Sequence, residues 1–322
     1  PAAVVSGMKD AAKTKGKPGQ YAVLNTRSAV EPVLTYAEDR ELREQVWRTF
    51  VNRGDNGGKT DNNKIITEIL KLRAERAKLL GYKTHAHWRV EPQMAKTPEA
   101  AMALLESVWP KAVARVREEV ADMQAIADKE GARIKIAPWD YRYYQEKVRK
   151  AKYDLDMNEV KPYLQLEKLR EGMMWAASEL YGIDFQPIDN VPVYHPDVRV
   201  WKVVDKATGK PSGLWYFDPY AREGKQSGAW MSEYRTQAKF DGEVLPIVSN
   251  NSNFVKTTDG KPILISWDDA ETLFHEFGHA LHGLLSNVTY PSQAGTNTAT
   301  DLVEFPSQIN EHWLSTPEVL QK

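Results

Sequence analysis

Apolar and polar residues alternate through the first 185 positions in a pattern typical of successive helices. Three of these patterns stop at a glycine, where helices often end, namely at Gly81, Gly131 and Gly182. The longest pattern opens with Thr97 as its N-cap and Pro98 in the first helical position. The five predicted helices cover residues 38–52, 62–80, 97–130, 141–152 and 159–181.

Short runs of β-prone residues replace the helical pattern between residues 191 and 253. A turn at 207–211 separates the first two runs, so we predict a hairpin across residues 198–217. The three runs cover residues 198–204, 213–217 and 244–248. The expected result is a small antiparallel sheet.

The helical and β-prone sequence patterns define the predicted organisation of the chain. We expect a mostly helical region at 1–185 and a region at 186–322 that holds the small sheet and further helices. No proline- or glycine-rich linker separates them, so they are expected to form one continuous body. The predicted fold class is therefore mainly α with a small antiparallel β-sheet.

The amino-acid composition excludes several classes of function. The chain has 322 residues, 43 basic and 44 acidic side chains and a formal net charge of −1, which gives no excess charge for nucleic acid or an anionic membrane. It has no cysteine, which excludes disulfides, thiolate metal sites and cysteine nucleophiles. The longest apolar stretches are far short of the roughly 20 residues needed to cross a bilayer. We expect a cytoplasmic protein, with the periplasm as the alternative.

A predicted core helix follows the β-prone segment. Residues 266–269 have the S-x-x-D form of a capping box. The apolar stripe of this helix comprises Ala270, Leu273, Phe274, Phe277, Leu281, Leu284 and Leu285. A second stripe beside it carries His275, His279 and His282, so the histidines are expected at the edge of the buried face.

Residues 275–279 form an H-E-x-x-H motif within this helix. Residues four apart share a helix face, so His275 and His279 can direct both imidazoles at one metal ion. Glu276 lies about 100° further round, beside the open metal position, where it can act as a general base. The alternative is two core histidines satisfied by hydrogen bonds. Chance would produce the motif in roughly one chain in a hundred of this length, so we predict a zinc peptidase.

The third metal ligand is open to several assignments from spacing. The pattern with a third histidine needs Gly at 282 and His at 285, and His282 and Leu285 stand there instead. His282 is about 10 Å of helix rise from His275, so we expect it to be a packed residue rather than a ligand. The candidates on the next predicted helix are Glu304, Glu311 and His312, with Glu304 modestly favoured. Gln308, four residues after Glu304, is the predicted hydrogen-bond partner of a zinc-bound histidine.

The segments at 273–282, 292–298 and 303–313 resemble the M3 family of zinc oligopeptidases, the thimet oligopeptidase relatives, and its bacterial peptidyl-dipeptidase branch in particular. Residues 139–144 and 218–225 extend the resemblance upstream. It implies a zincin-like arrangement of active-site helices in a helical metallopeptidase lobe.

The same resemblance implies roles for individual residues. The family's third ligand is a glutamate 25 residues after the second histidine, and 279 + 25 = 304. One Zn²⁺ per chain is therefore expected on His275, His279 and Glu304, with Glu276 as the catalytic base. Full-length members continue well beyond the third ligand, whereas this sequence ends 322 − 304 = 18 residues after it, which predicts a fragment. The absent portion carries tyrosine and histidine side chains that hold substrate, and we expect activity to need it as a partner.

The resulting functional prediction is a zinc metallopeptidase that releases dipeptides from the C-termini of short peptides. The alternatives are an endo-acting oligopeptidase and, for the fragment alone, a zinc-containing peptide-binding module without catalysis. Residues 244–255 are a candidate edge strand for peptide addition, with an internal strand as the alternative. Gly295 and Thr296 are a candidate flap or an ordinary connection. We expect residues 218–225 to be a structural turn and the aromatic residues of 139–144 to be mainly core.

Overall fold

The computed structural model describes residues 1–154, 157–256 and 260–322. The chain divides into two compact units, Pro1–Asp156 and Met157–Lys322. The sequence patterns change from helical to β-prone at 185/186. This position differs from the boundary between the two units, which lies after Asp156. None of the helices in the described ranges combines the length and the apolar character that crossing a bilayer requires.

The regular secondary structure among the described residues of the first unit is all α-helix. Four of the five helices predicted from sequence lie here, and each is found within two residues of its expected bounds. Thr97 caps the longest one, because its side chain accepts a hydrogen bond from the backbone N–H of Ala100. The helices are α1 (Ala2–Thr14), α2 (Arg27–Tyr36), α3 (Arg40–Val51), α4 (Asn63–Leu79), α5 (His85–Val90), α6 (Pro98–Lys129) and α7 (Tyr141–Tyr153).

A buried ion-pair network ties α3 to the start of α7. Asp140 is fully buried and accepts hydrogen bonds from Arg43 at 2.9 Å and from Arg40 at 2.8 Å. Burial by itself would raise the pKa of Asp140. The hydrogen bonds from the two guanidinium groups together have the larger effect, so the pKa is lowered. Tyr144 is buried with Met123 in a small core, as expected for this aromatic segment.

The described residues of the second unit contain five further α-helices. They are α8 (Met157–Val160), α9 (Leu166–Tyr181), α10 (Trp267–Leu284), α11 (Glu304–Glu311) and α12 (Pro317–Leu320). The single helix predicted at 159–181 is wrong in its first part, where a 3-10 turn and an extended residue precede α9. Pro162 lies in that turn, and Gln165 then bridges to Leu264 in an antiparallel pair. Proline cannot donate to a helical ladder, so the helix restarts after it.

A five-stranded sheet forms the centre of the second unit. The strands are β1 (Ile183–Ile188), β2 (Arg199–Asp205), β3 (Pro211–Tyr220), β4 (Trp230–Arg235) and β5 (Ile247–Phe254), in the order β1-β2-β3-β5-β4. The predicted hairpin is confirmed as β2 and β3, which pair antiparallel. The prediction of an antiparallel sheet is wrong, because β3 and β5 pair parallel and the sheet is mixed. The long connection between them returns the chain to the same end of the sheet and carries β4 to the outside.

Of the two alternatives for residues 244–255, an edge strand or an internal strand, the structure contains the internal strand. This strand, β5, lies between β3 and β4, and Ser249, Asn250 and Asn251 in it are buried. These polar side chains are accommodated by hydrogen bonds: Asn250 accepts one from the Trp215 indole at 2.7 Å and donates one to the backbone carbonyl of Glu276. The true edges are β1 and β4.

Helix α10 packs its apolar stripe on one face of this sheet. The ring of Phe277 lies 5.1 Å from that of Trp215 and 5.8 Å from that of Phe185. Phe274, Leu281 and the other stripe residues at 270, 273 and 284 are buried in the same core. The sheet therefore holds α10 along its length and leaves the neighbouring histidine stripe at the edge of the core.

Helix α11 approaches α10 at backbone contact distance. A Cβ atom on Gly278 would lie 2.7 Å from the Cα of Ser307 and 3.0 Å from the carbonyl oxygen of Pro306. Asn310 donates a hydrogen bond of 2.6 Å to the backbone carbonyl of Phe274. Only a residue without a side chain fits at position 278, so the sequence H-E-F-G-H serves helix packing as well as chemistry.

Replacement of Gly278 tests this contact. Alanine normally favours a helix interior over glycine by about 1 kcal/mol, but here its methyl group would overlap α11. We expect Gly278→Ala to lower the free energy of unfolding by about 1–3 kcal/mol, as overpacking does. Gly172 in α9 is the matched control, since its Cβ would meet Val319 at an ordinary 3.6 Å. Chemical denaturation followed by circular dichroism measures both, and equal behaviour of the two variants would contradict the close approach.

Candidate metal centre

The capping box predicted at the start of α10 is present and fixes where the helix begins. The backbone N–H of Asp269 donates to the Ser266 hydroxyl at 3.0 Å, and the Ser266 N–H donates to the Asp269 carboxylate at 3.3 Å. From this start the helix carries His275 and His279 on one face, with ring centroids 4.9 Å apart and nearly perpendicular at 83°. Their imidazoles therefore converge as the spacing predicts.

Glu304 completes a three-residue cluster from the first turn of α11. Its Oε2 atom lies 3.1 Å from the Nε2 atom of His275 and 3.1 Å from the Nε2 atom of His279. One ligand atom from each of these three side chains lies within 4.8 Å of the others. The Glu304 side chain is 51% exposed and that of His279 is 11% exposed, so the cluster is sheltered on one side and accessible on the other.

The donor set and its spacing fit a zinc ion. Zn²⁺ is held by imidazole nitrogen and carboxylate oxygen at about 2.0–2.2 Å, which separates two tetrahedral ligands by about 3.3 Å. The observed distance of 3.1 Å from Glu304 to each histidine is close to that separation. Two histidines and one glutamate also leave a coordination position free, which catalytic zinc sites require.

The surroundings of the cluster shift the pKa values of its members. Burial is the main cause that lowers the pKa of His279. For Glu304 burial acts to raise the pKa, but the hydrogen bond from Ser307 and the neighbouring histidines outweigh it and the pKa is lowered. Ser307 is fully buried, and its hydroxyl lies 2.9 Å from the Glu304 carboxylate. Sequence reasoning missed this residue, because a serine three positions after a glutamate is a weak signal.

Glu276 lies next to the cluster on the sheet side of α10. Its side chain is buried, and burial, followed by the negative charge of Glu304, raises its pKa to about 7, against opposing effects of His275 and a backbone hydrogen bond from Met231. Met231 belongs to β4, so the edge strand and this carboxyl group are neighbours. Glu276 is not among the three clustered ligand atoms.

The prediction that Gln308 forms a hydrogen bond to one of the two histidines is wrong. Gln308 is exposed and forms no hydrogen bond to either histidine within the part of the chain that the structure describes. Glu311 takes that place, with Oε1 2.6 Å from the Nδ1 atom of His275. The reason is helical phase: Ser307 faces α10, Gln308 points about 100° away from it, and Glu311 returns to the same face four residues later.

Two further histidines lie outside the cluster. His282 is half-buried near the end of α10, and burial lowers its pKa. Its Nδ1 atom is buried and has no hydrogen-bond partner among the described residues. His312 is exposed at the start of the 3-10 turn after α11. His282 is placed as the sequence predicted, as a packed residue.

The predicted turn at 218–225 and the candidate flap at Gly295 both form contacts within the fold. Asp218 is buried near the end of β3 and paired with Arg222 at 2.7 Å and Lys225 at 3.0 Å. Because β3 ends at Tyr220, the turn predicted at 218–225 begins only after that residue. Gly295 is buried: a Cβ atom there would lie 3.0 Å from the Cα of Gly283 in α10, and its N–H donates to the hydroxyl of Ser286, just after α10, at 2.6 Å. The first residue of the candidate flap is thus held at the end of α10, and a mobile flap remains a prediction.

Comparison with known proteins gives a consistent identification. The sequence profile of peptidase family M3 matches residues 33–322. The chain is 41% identical over 314 residues to dipeptidyl carboxypeptidase of Escherichia coli (strain K12), covering 97% of this chain and 46% of that protein. It is 35% identical over 327 residues to oligopeptidase A of the same organism, covering 99% of this chain and 48% of that protein.

A plant relative extends the comparison. The organellar oligopeptidase A of Arabidopsis thaliana, described as chloroplastic/mitochondrial, is 39% identical over 296 residues, which cover 88% of this chain and 36% of that protein. The chain thus spans about half the length, or less, of the curated relatives it matches. The family match covers nearly the whole sequence, from residue 33 to its last residue. The chain belongs to peptidase family M3.

Proposed function

We propose that this chain provides the zinc-binding half of the active site of a metallopeptidase that hydrolyses short peptides and releases dipeptides from their C-termini. The observation that carries the proposal is the convergence of His275, His279 and Glu304, whose ligand atoms lie within 4.8 Å of one another, with Glu276 beside them. Family membership supports the same assignment of a zinc-dependent hydrolase.

The proposed mechanism assigns separate tasks to the four side chains. His275, His279 and Glu304 would hold Zn²⁺, and the bound ion would supply activation of a water molecule and polarisation of the peptide carbonyl. Glu276 removes a proton from the attacking water as the oxygen–carbon bond forms. It then delivers that proton to the amide nitrogen as the carbon–nitrogen bond breaks. The buried position of Glu276 keeps its carboxyl group apart from bulk water and beside the reacting atoms.

Strand β4 is the proposed place for the peptide backbone. It pairs with β5 on one side, and within the described residues no strand pairs with its other side. An extended peptide could add there through main-chain hydrogen bonds, which would explain acceptance of many sequences. The proximity of Met231 in β4 to Glu276 supports this placement. The peptide-adding role considered for residues 244–255 is therefore proposed for β4 instead.

Dipeptide release is the preferred specificity because the chain is 41% identical to a dipeptidyl carboxypeptidase. The 35% identity to oligopeptidase A favours the alternative of endo-acting cleavage. A zinc-containing peptide-binding module without catalysis is a further alternative for the chain by itself, since the curated relatives are about twice as long.

Glu276→Gln separates metal binding from proton transfer. We expect this variant to retain one zinc per chain and to lose hydrolysis of a fluorogenic peptide by about 10²–10⁴-fold, because an amide cannot accept the proton. Glu271→Gln, on the same helix, is the matched control and should be fully active. The assay is run with and without chelator on the 322-residue chain. It is repeated on this chain extended by the remaining C-terminal part of the E. coli dipeptidyl carboxypeptidase.

The outcomes distinguish the alternatives. Chelator-sensitive hydrolysis by the chain alone would exclude the binding-module alternative. Zinc binding without hydrolysis in either form would favour it. Full activity of Glu276→Gln in an active form would contradict the assigned role of Glu276.

A decapeptide substrate tests the proposed specificity. Mass spectrometry of products at early times should show successive loss of C-terminal dipeptides and an intact N-terminal remainder. Amidation of the substrate C-terminus should slow this cleavage, because a C-terminal carboxylate then no longer helps to position the peptide. A single internal cut that is insensitive to amidation would instead favour the endo-acting oligopeptidase.

A further inference from the structure

His275 contacts a carboxylate at each of its ring nitrogens. Its Nε2 atom lies 3.1 Å from Glu304, and its Nδ1 atom lies 2.6 Å from Glu311. Both carboxylates come from α11, at its first and last residues. Seven residues correspond to about two helical turns, so the two side chains project from the same side of this helix at different heights.

We propose that Glu311 is a positioning residue that orients the His275 ring and fixes its tautomer, so that Nε2 presents a lone pair to the metal. This inference rests on the proposed zinc-binding function. Glu311 does not itself bind the metal. It acts through His275.

Hydrogen-bond chemistry determines which nitrogen carries the proton. An ionised carboxylate can only accept, so the short contact between Glu311 and Nδ1 requires an N–H at Nδ1. A metal ion held between Nε2 and Glu304 would leave no proton on Nε2, and the single N–H of a neutral imidazole would then lie at Nδ1, where Glu311 accepts it. The Glu311 side chain is 32% exposed against 51% for Glu304, so water competes less with this hydrogen bond.

The second histidine has no equivalent partner. The Nδ1 atom of His279 is buried and makes no hydrogen bond to any described residue. The two histidines of the motif are thus unequal: His275 is oriented by Glu311, whereas His279 is oriented by packing and by Glu304 alone. Loss of Glu311 should accordingly affect one specific ring.

The packing of α11 allows a single helix to supply both contacts. Ser307 lies against Gly278, and Asn310 is hydrogen-bonded to the carbonyl of Phe274 at 2.6 Å. These two contacts lie between Glu304 and Glu311 along α11. They fix the helix against α10, and the two carboxylates are held on either side of His275.

Zinc affinity of the 322-residue chain, measured by competition with a chromophoric chelator, tests the proposal. We expect Glu311→Ala to weaken zinc binding by about 10–100-fold, as removal of a partner behind a metal ligand typically does, and Glu311→Gln to weaken it less, because its amide oxygen still accepts the hydrogen bond. Glu318→Gln, an exposed acidic residue, and Gln308→Ala, on the same helix, are the controls and should bind zinc as the wild type does. Circular dichroism verifies that the variants are folded.

The tautomer is tested separately on the metal-free protein by ¹⁵N NMR of the imidazole nitrogens, in a Glu304→Ala background that removes the second carboxylate contact of His275. With Glu311 intact, His275 should show the Nδ1–H form. Glu311→Gln should keep it, since an amide oxygen still accepts the hydrogen bond, whereas Glu311→Ala should give a mixture of both forms. Wild-type zinc affinity together with an unchanged tautomer in Glu311→Ala would overturn the inference. If the wild-type chain fails to bind zinc, the proposed function fails, and the metal-free tautomer still decides the role of Glu311.

Discussion

The close contact between α10 and α11 is the constraint on which the candidate centre depends. Gly278 allows the backbone of α11 to approach until a Cβ atom would meet Ser307 at 2.7 Å. At this distance Glu304 reaches both histidines and Glu311 reaches the far side of His275. A bulkier residue at 278 would separate the helices, and the side chains of α11 would no longer reach the imidazoles.

The sheet supports this arrangement from the opposite side of α10. Phe277 packs on Trp215, and Asn250 of the internal strand β5 connects the Trp215 indole to the backbone of Glu276. Hydrogen bonding therefore makes a polar residue acceptable in the centre of the sheet. One helix thus presents an apolar face to the sheet, a glycine to its neighbouring helix and two imidazoles to the accessible side.

Much of the centre could be predicted from the sequence, because helical spacing determines which residues share a face. His275 and His279 follow from this rule alone, whereas the choice of Glu304 over Glu311 also needed the family resemblance. Gln308 was chosen wrongly because the phase of α11 relative to α10 is set by contacts at Gly278 that spacing does not show. Strand β4 escaped prediction because Trp-Met-Ser-Glu-Tyr-Arg lacks β-branched residues, and the parallel pairing of β3 and β5 depends on the path of a long connection.

X-ray absorption spectroscopy at the zinc edge of the zinc-loaded chain would identify the side chains that bind the ion. We expect two imidazoles and one carboxylate oxygen at about 2.0–2.2 Å. The imidazole scattering should be unchanged in His282→Ala and should fall by one ring in His279→Ala. A three-imidazole spectrum, or a His279→Ala spectrum identical to that of the wild type, would contradict the assignment.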